Sequence, residues 1–212
     1  NGKAKHAKLT NNSLLLFPTT TGSCSMMYNA ESNEGILFDS ALSQSFRDIT
    51  WKFVANYVTN IPLCIISHWD EDHLGGLWSL INTKYKNKQV PELNNIIINY
   101  KESWFGGRSA KQLKQCLNVL KDLNMNFEPW LRNKAAVYTS ADEATKIYVF
   151  NPESLPKDSK MNQDMQNKLS ICSLVKHNNF KLIFTGDAHQ TEILNGLKFL
   201  AENSVLTSKT VN

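Results

Sequence analysis

The chain has 212 residues, 42% of them hydrophobic and 20% charged, with 23 Lys and Arg against 19 Asp and Glu for a formal net charge of +4. That is the composition of a globular chain long enough to bury a sizeable core as one domain. No apolar run nears the roughly 18 residues of a membrane-spanning helix, and the N-terminus lacks the apolar centre of a secretory leader.

Residues 14–17 read as a first strand, 24–28 as its hairpin partner across Thr19–Ser23, and 35–39 as a third strand ending on Asp39. Phe46, Ile49, Phe53, Tyr57 and Val58 recur at helical spacing and predict an amphipathic helix over 45–59. Residues 61–66 (Ile-Pro-Leu-Cys-Ile-Ile) are short, partly β-branched and proline-bounded, which suits a strand buried on both faces. A helix over 74–85 and a strand over 95–100 come next. Ser109 is placed to cap a helix over 109–123 with an apolar stripe of Leu113, Cys116, Leu117, Leu120 and Leu123. Residues 146–150 read as a strand, and 151–168, with Pro152 and Pro156 and no apolar periodicity, as a long loop near the site. A hairpin over 169–175 and 180–184 and a helix over 190–202 complete the pattern.

The chemistry gathers in residues 67–76, Ser-His-Trp-Asp-Glu-Asp-His-Leu-Gly-Gly, where His68, Asp70, Asp72 and His73 bring four ligand-type side chains into six positions behind a buried strand. Imidazole and carboxylate together suit a divalent ion. A solvated turn is the plainer account. A metal site is the favoured account, because charges seldom crowd the mouth of a buried strand without a partner. Trp69 reads as packing, Glu71 as facing solvent or supporting a ligand, and Gly75-Gly76 as a tight turn into the next helix. Asp187, beside Gly186 at the end of the 180–184 strand, is placed either as a further ligand or as a cap on the adjoining helix.

The H-x-D-x-D-H block resembles the H-x-H-x-D-H signature of the metallo-β-lactamase-fold hydrolases, with Asp70 where the family usually carries its second His. Together with Gly75-Gly76 and the block from Asn167 through Ser170 to Thr185-Gly186-Asp187-Ala188, it is similar to the metallo-β-lactamase domain of competence-type DNA-uptake proteins and their soluble relatives. The resemblance implies an α/β four-layer αββα sandwich of two mixed sheets flanked by helices. It also implies two divalent ions, one on His68 and Asp70, the other on Asp72 and His73, the pair assigned to catalysis, with Asp187 bridging. Ions about 3.5 to 4 Å apart share an activated water and stabilise developing negative charge. Exchange of His for Asp at position 70 hardens the site, so Mn²⁺, with Mg²⁺ also admissible, competes with Zn²⁺.

The family's intervening His has no counterpart between Leu74 and Gln166, so its place falls to Asn167, to water or to nothing. The family's His-His-Gly-Ser segment would come after the 190–202 helix, so a single domain over 1–212 lacking its C-terminal part is expected. Asp39 either supports the metals or caps the next segment of chain. Trp104, Phe105 and Arg108 are of the types that stack on bases or hold phosphates, although packing accounts equally well for the two aromatics. Lys84, Lys86 and Lys88 lie soon after the metal block and could meet a phosphate backbone, whereas Lys111, Lys114 and Lys121 read as a solvated helix face. Cys24, Cys64, Cys116 and Cys172 form no Cys-x-x-Cys pair and read as buried reduced thiols of a cytoplasmic protein.

The leading expectation is a metal-dependent hydrolase, a phosphodiesterase or nuclease acting on nucleic acid or nucleotides. The alternatives are an ester, thioester or lactam hydrolase, marked by an apolar pocket in place of a basic groove, and a non-catalytic module acting through a partner domain outside these residues.

Overall fold

The computed structural model describes residues 12–85, 91–100, 104, 107–124, 126–156 and 161–206. It is a mixed α/β structure with two sheets. The first has the order β1 (Asn12–Leu16), β2 (Ser25–Asn29), β3 (Glu34–Phe38), β4 (Asn60–Ile66), β5 (Glu92–Ile98), β6 (Asn126–Glu128). β1 to β3 form an antiparallel meander, and β3 to β6 run parallel. The second sheet has the order β10 (Phe180–Phe184), β9 (Cys172–His177), β8 (Thr145–Asn151), β7 (Tyr138–Thr139) and is antiparallel.

Three apolar clusters result from this arrangement. Ile36, Phe38, Leu63, Ile65 and Ile97 of the first sheet meet Ile147, Val149 and Val175 of the second, so the sheets pack face to face. The opposite face of the first sheet packs on α3 (Glu71–Tyr85) and α4 (Gly107–Asp122). The opposite face of the second, through Phe150, Cys172 and Leu174, packs on α6 (Gln190–Glu202). β4 is buried from Leu63 onward because it is central to its sheet and covered on both sides.

The helix expected over 45–59 is α1 (Ser43–Ser45), a π-helical segment Phe46–Thr50 and α2 (Trp51–Tyr57), running on without a break. The wide turn shifts the phase of the stripe. Phe46 and Val54 are fully buried, whereas Ile49 and Tyr57, expected on the apolar face, are 37% and 47% exposed.

Gly75 and Gly76 correct a second expectation, since they lie inside α3 and make no turn. Added Cβ atoms would stand 2.5 Å from the Ser43 nitrogen and 2.1 Å from the Ser40 carbonyl oxygen, so glycine is what lets α3 press against the segment after β3. The stretch expected as one loop over 151–168 contains α5 (Gln163–Lys168), whose N-cap Asn162 accepts from the Met165 amide. β6 and β7 are too short to carry a period that the sequence could reveal. Among the described residues no helix is long and apolar enough to cross a membrane.

Candidate metal centre

β4 ends at Ile66 and releases Ser67 and His68 into the mouth between the two sheets. α3 starts at Glu71, so Asp72 and His73 occupy its first turn and not a loop. That turn is locked to the end of β3: the Ser40 amide and hydroxyl both donate to the His73 carbonyl, at 2.8 and 2.7 Å, and the Leu77 amide donates to Ser40 Oγ. From the second sheet, the Ile171 amide donates to the Ser67 carbonyl at 2.7 Å. Gly186, at φ +50°, lets β10's end approach so closely that a Cβ would lie 2.4 Å from that of Ser67. The two blocks singled out in the sequence, about 120 positions apart, therefore meet at one place.

There, His68, His73 and Asp187 each offer a ligand atom within 4.8 Å of the other two. The two oxygens of Asp187 divide between the rings, Oδ1 lying 3.5 Å from His73 Nε2 and Oδ2 4.0 Å from His68 Nε2. Asp70 Oδ2 is 3.4 Å from His68 Nε2. Ligands about 2.0 to 2.2 Å from a tetrahedral ion stand about 3.3 to 3.6 Å from each other, so the His73–Asp187 and His68–Asp70 separations fit a divalent cation, while His68–Asp187, at 4.0 Å, is wider than that range. His68 Nε2 is buried and has no hydrogen-bond partner, a state that costs free energy unless something takes its lone pair.

Asp39 organises both rings. It is 6% exposed and sits at φ +52°, which turns its carboxylate back into the cluster. Oδ1 accepts the Ser67 amide at 2.7 Å; Oδ2 accepts the hydroxyls of Ser67 at 2.9 Å and Ser23 at 2.8 Å, and faces His73 Nδ1 at 2.9 Å. Burial works to raise its pKa, but the bond and charge of His73 and the Ser67 amide prevail and hold it below the usual carboxylate value. An ionised carboxylate only accepts, so Ser67 spends its one hydroxyl proton on Asp39 and must accept from His68 Nδ1 at 3.0 Å. This assigns a proton to Nδ1 of each ring and leaves Nε2, which faces Asp187, as the ligand atom of both. Burial opposes a charged His73, yet Asp39 first, then Asp187 and Asp72, raise its pKa to about 9. The field there favours a cation.

Asp70 is approached from α5, which sequence reasoning missed. Gln163 Nε2 donates to Asp70 Oδ2. Gln166, with its amide oriented to match donors to acceptors, donates to Oδ1 at 2.6 Å and accepts from Trp69 Nε1 at 3.1 Å. The signal was present: Asn162 is a good N-cap, Asp164 stands in the first turn and Lys168 in the last. Asn167, a candidate for the missing ligand, instead accepts from Gln163 Nε2 at 3.1 Å through Oδ1.

Asp72 lines a cavity of about 460 Å³ with His73 and Asp187, outside the three-residue cluster. Trp69 is buried, as expected of packing. So is Trp104, whose ring stacks on that of Trp69 at 5.4 Å, a position that serves the core in place of the expected substrate contact. Arg108 lies in the first turn of α4, but its side chain, together with Phe105, Lys86, Lys88 and the side chain of Lys84, falls outside the described residues. Lys111, Lys114 and Lys121 are exposed on α4. The four cysteines are buried and unpaired. His177 closes β9 against Thr145, and His189 is the N-cap of α6. No family model matches the chain, and no curated protein matches it.

Proposed function

We propose that the chain is a metal-dependent hydrolase of the metallo-β-lactamase fold, its paired sheets and outer helices forming an αββα four-layer sandwich with a centre for two divalent ions. The observation that carries this reading is the division of Asp187, one oxygen toward each histidine, at a place where two distant stretches of chain converge. His68, Asp70 and Asp187 would hold one ion, and Asp72, His73 and Asp187 the other; Zn²⁺ and Mn²⁺ both suit this nitrogen and oxygen set. Bound ions would supply an acidified water and offset charge developing on the substrate. The chain's own part is to fix both ring tautomers through Asp39, to keep the rings dry, and to leave Asp187, with a side chain 44% exposed, at the cavity mouth.

The leading substrate is a phosphodiester in nucleic acid or a nucleotide. A second reading, a carboxylic ester or thioester, rests on the cavity lining, which among the described residues has no Lys or Arg and sets Phe38, Ile65, Ile171, Ile183 and Phe184 beside serines, aspartates and His73. Purified protein loaded with zinc or manganese, assayed on DNA, RNA, cyclic nucleotides and small acyl esters beside His68→Ala and Asp187→Ala, tests both. Loss of turnover by at least about 100-fold in both variants is expected. Equal turnover in wild type and variants refutes the proposal.

A further inference from the structure

The two halves of the centre are built differently, and the difference can be followed atom by atom. On the His73 side, Nδ1 meets the Asp39 carboxylate directly at 2.9 Å. On the His68 side, Nδ1 meets only hydroxyls, Ser67 Oγ at 3.0 Å and Ser170 Oγ at 3.4 Å, so no carboxylate touches it and its hydrogen-bonded link to Asp39 runs through Ser67, whose Oγ also lies 3.3 Å from His73 Nδ1. A ring that donates to a full charge is the stronger metal ligand.

The carboxylates repeat the asymmetry. Asp70, on the His68 side, has an amide donor from α5 on each of its oxygens, which draws electron density away from a cation. Asp72, which adds its charge at His73, accepts no hydrogen bond from the described residues. Asp187 also lies nearer His73 Nε2, at 3.5 Å, than His68 Nε2, at 4.0 Å.

We infer that the centre loads in two unequal steps, the first ion settling between His73 and Asp187 and the second, weaker one between His68 and Asp70, with Ser67 the positioning residue that sets the strength of the second. The inference rests on the metal-centre reading above and is independent of which substrate is cleaved.

The test is calorimetric titration of metal-free protein with cobalt(II) at pH 8, with visible absorption reporting coordination, on wild type, Ser67→Ala and Asp39→Asn. Ser67→Ala removes the hydroxyl, with its bond to Asp39 Oδ2 and its 3.3 Å approach to His73 Nδ1, but keeps the backbone amide that bonds Asp39 and the direct contact of Asp39 with His73. Wild type should show two steps at least 10-fold apart. Ser67→Ala should weaken the looser step by about 10- to 100-fold, the range for loss of a hydrogen bond behind a ligand, and the tighter one by less than threefold. Asp39→Asn should weaken both. A single step in wild type overturns the two-step loading. Two equal steps, or a tighter step weakened as much as the looser one in Ser67→Ala, overturn it while leaving the hydrolase proposal standing. No cobalt uptake overturns both.

Discussion

Replacing Asp39 by Asn should destabilise the metal-free protein by an amount that depends on pH, and the geometry sets the size. Folding raises the His73 pKa from 6.5 to about 9. At about 1.36 kcal/mol per pKa unit, that shift represents on the order of 3 kcal/mol. Asp39 supplies the two largest contributions that raise it, ahead of Asp187 and Asp72, so the variant should forfeit about 2 kcal/mol of it. The sign is that of a raised pKa: the stabilisation is complete below pH 6.5 and fades as pH climbs through about 9. A second cost is independent of pH. The carboxamide of the D39N variant keeps one acceptor oxygen and puts an NH2 in place of the other, facing either the Ser67 amide or the hydroxyls of Ser67 and Ser23, all of which donate to Asp39, so at least one buried donor loses its acceptor at about 1–3 kcal/mol. Urea denaturation at pH 5.5 and 9.5 separates the two parts. The expected loss is larger at pH 5.5 by about 2 kcal/mol. A loss equal at both pH values would refute the assignment of Asp39 as the charge that holds His73.

Two further predictions concern packing near the centre. Trp104→Ala should cost about 3–5 kcal/mol in thermal or urea unfolding, as expected for a buried aromatic, with no change in substrate KM at temperatures where it stays folded. A normally stable variant with raised KM would return Trp104 to substrate binding. Gly76→Ala should cost about 1–3 kcal/mol or more, because its Cβ would stand 2.1 Å from the Ser40 carbonyl oxygen and 2.4 Å from the Phe46 ring. A melting temperature within a degree of wild type would show that α3 does not need that approach.

The parts of this fold legible in the sequence are those in which a local pattern and its tertiary role coincide. β4 reads as a buried strand, and it is buried from Leu63 to Ile66, because its side chains enter apolar clusters on both faces of the sheet. The 190–202 helix and the 180–184 strand carry turn residues at their ends and match their observed bounds. The features that escaped depend on distance in space. Ile49 and Tyr57 are exposed because a π-helical turn, which no periodic count anticipates, rotates the stripe. α5 has little apolar content to announce it, and its purpose, two amides delivered to a carboxylate 93 positions away in one case, exists only in three dimensions. His68, Asp70, Asp72 and His73 could be singled out because they cluster on one segment, whereas Asp187 stood out only beside Gly186 at a strand's end. Asp39 stayed ambiguous, since nothing local reveals that Ser67 will relay its charge to a second ring.

The proposed centre draws His68 from the end of the central strand of one sheet, His73 from the first turn of the helix that follows it, and Asp187 from just beyond a strand of the other sheet. Between those two sheets lies mostly hydrocarbon, which resists separation well but sliding poorly, being without direction. A cation gripped from both sides would act as a rivet through that seam. At about a hundred times its dissociation constant it would add about 2.7 kcal/mol to the folded state, so mechanical cohesion of the molecule and readiness for chemistry would rise and fall together.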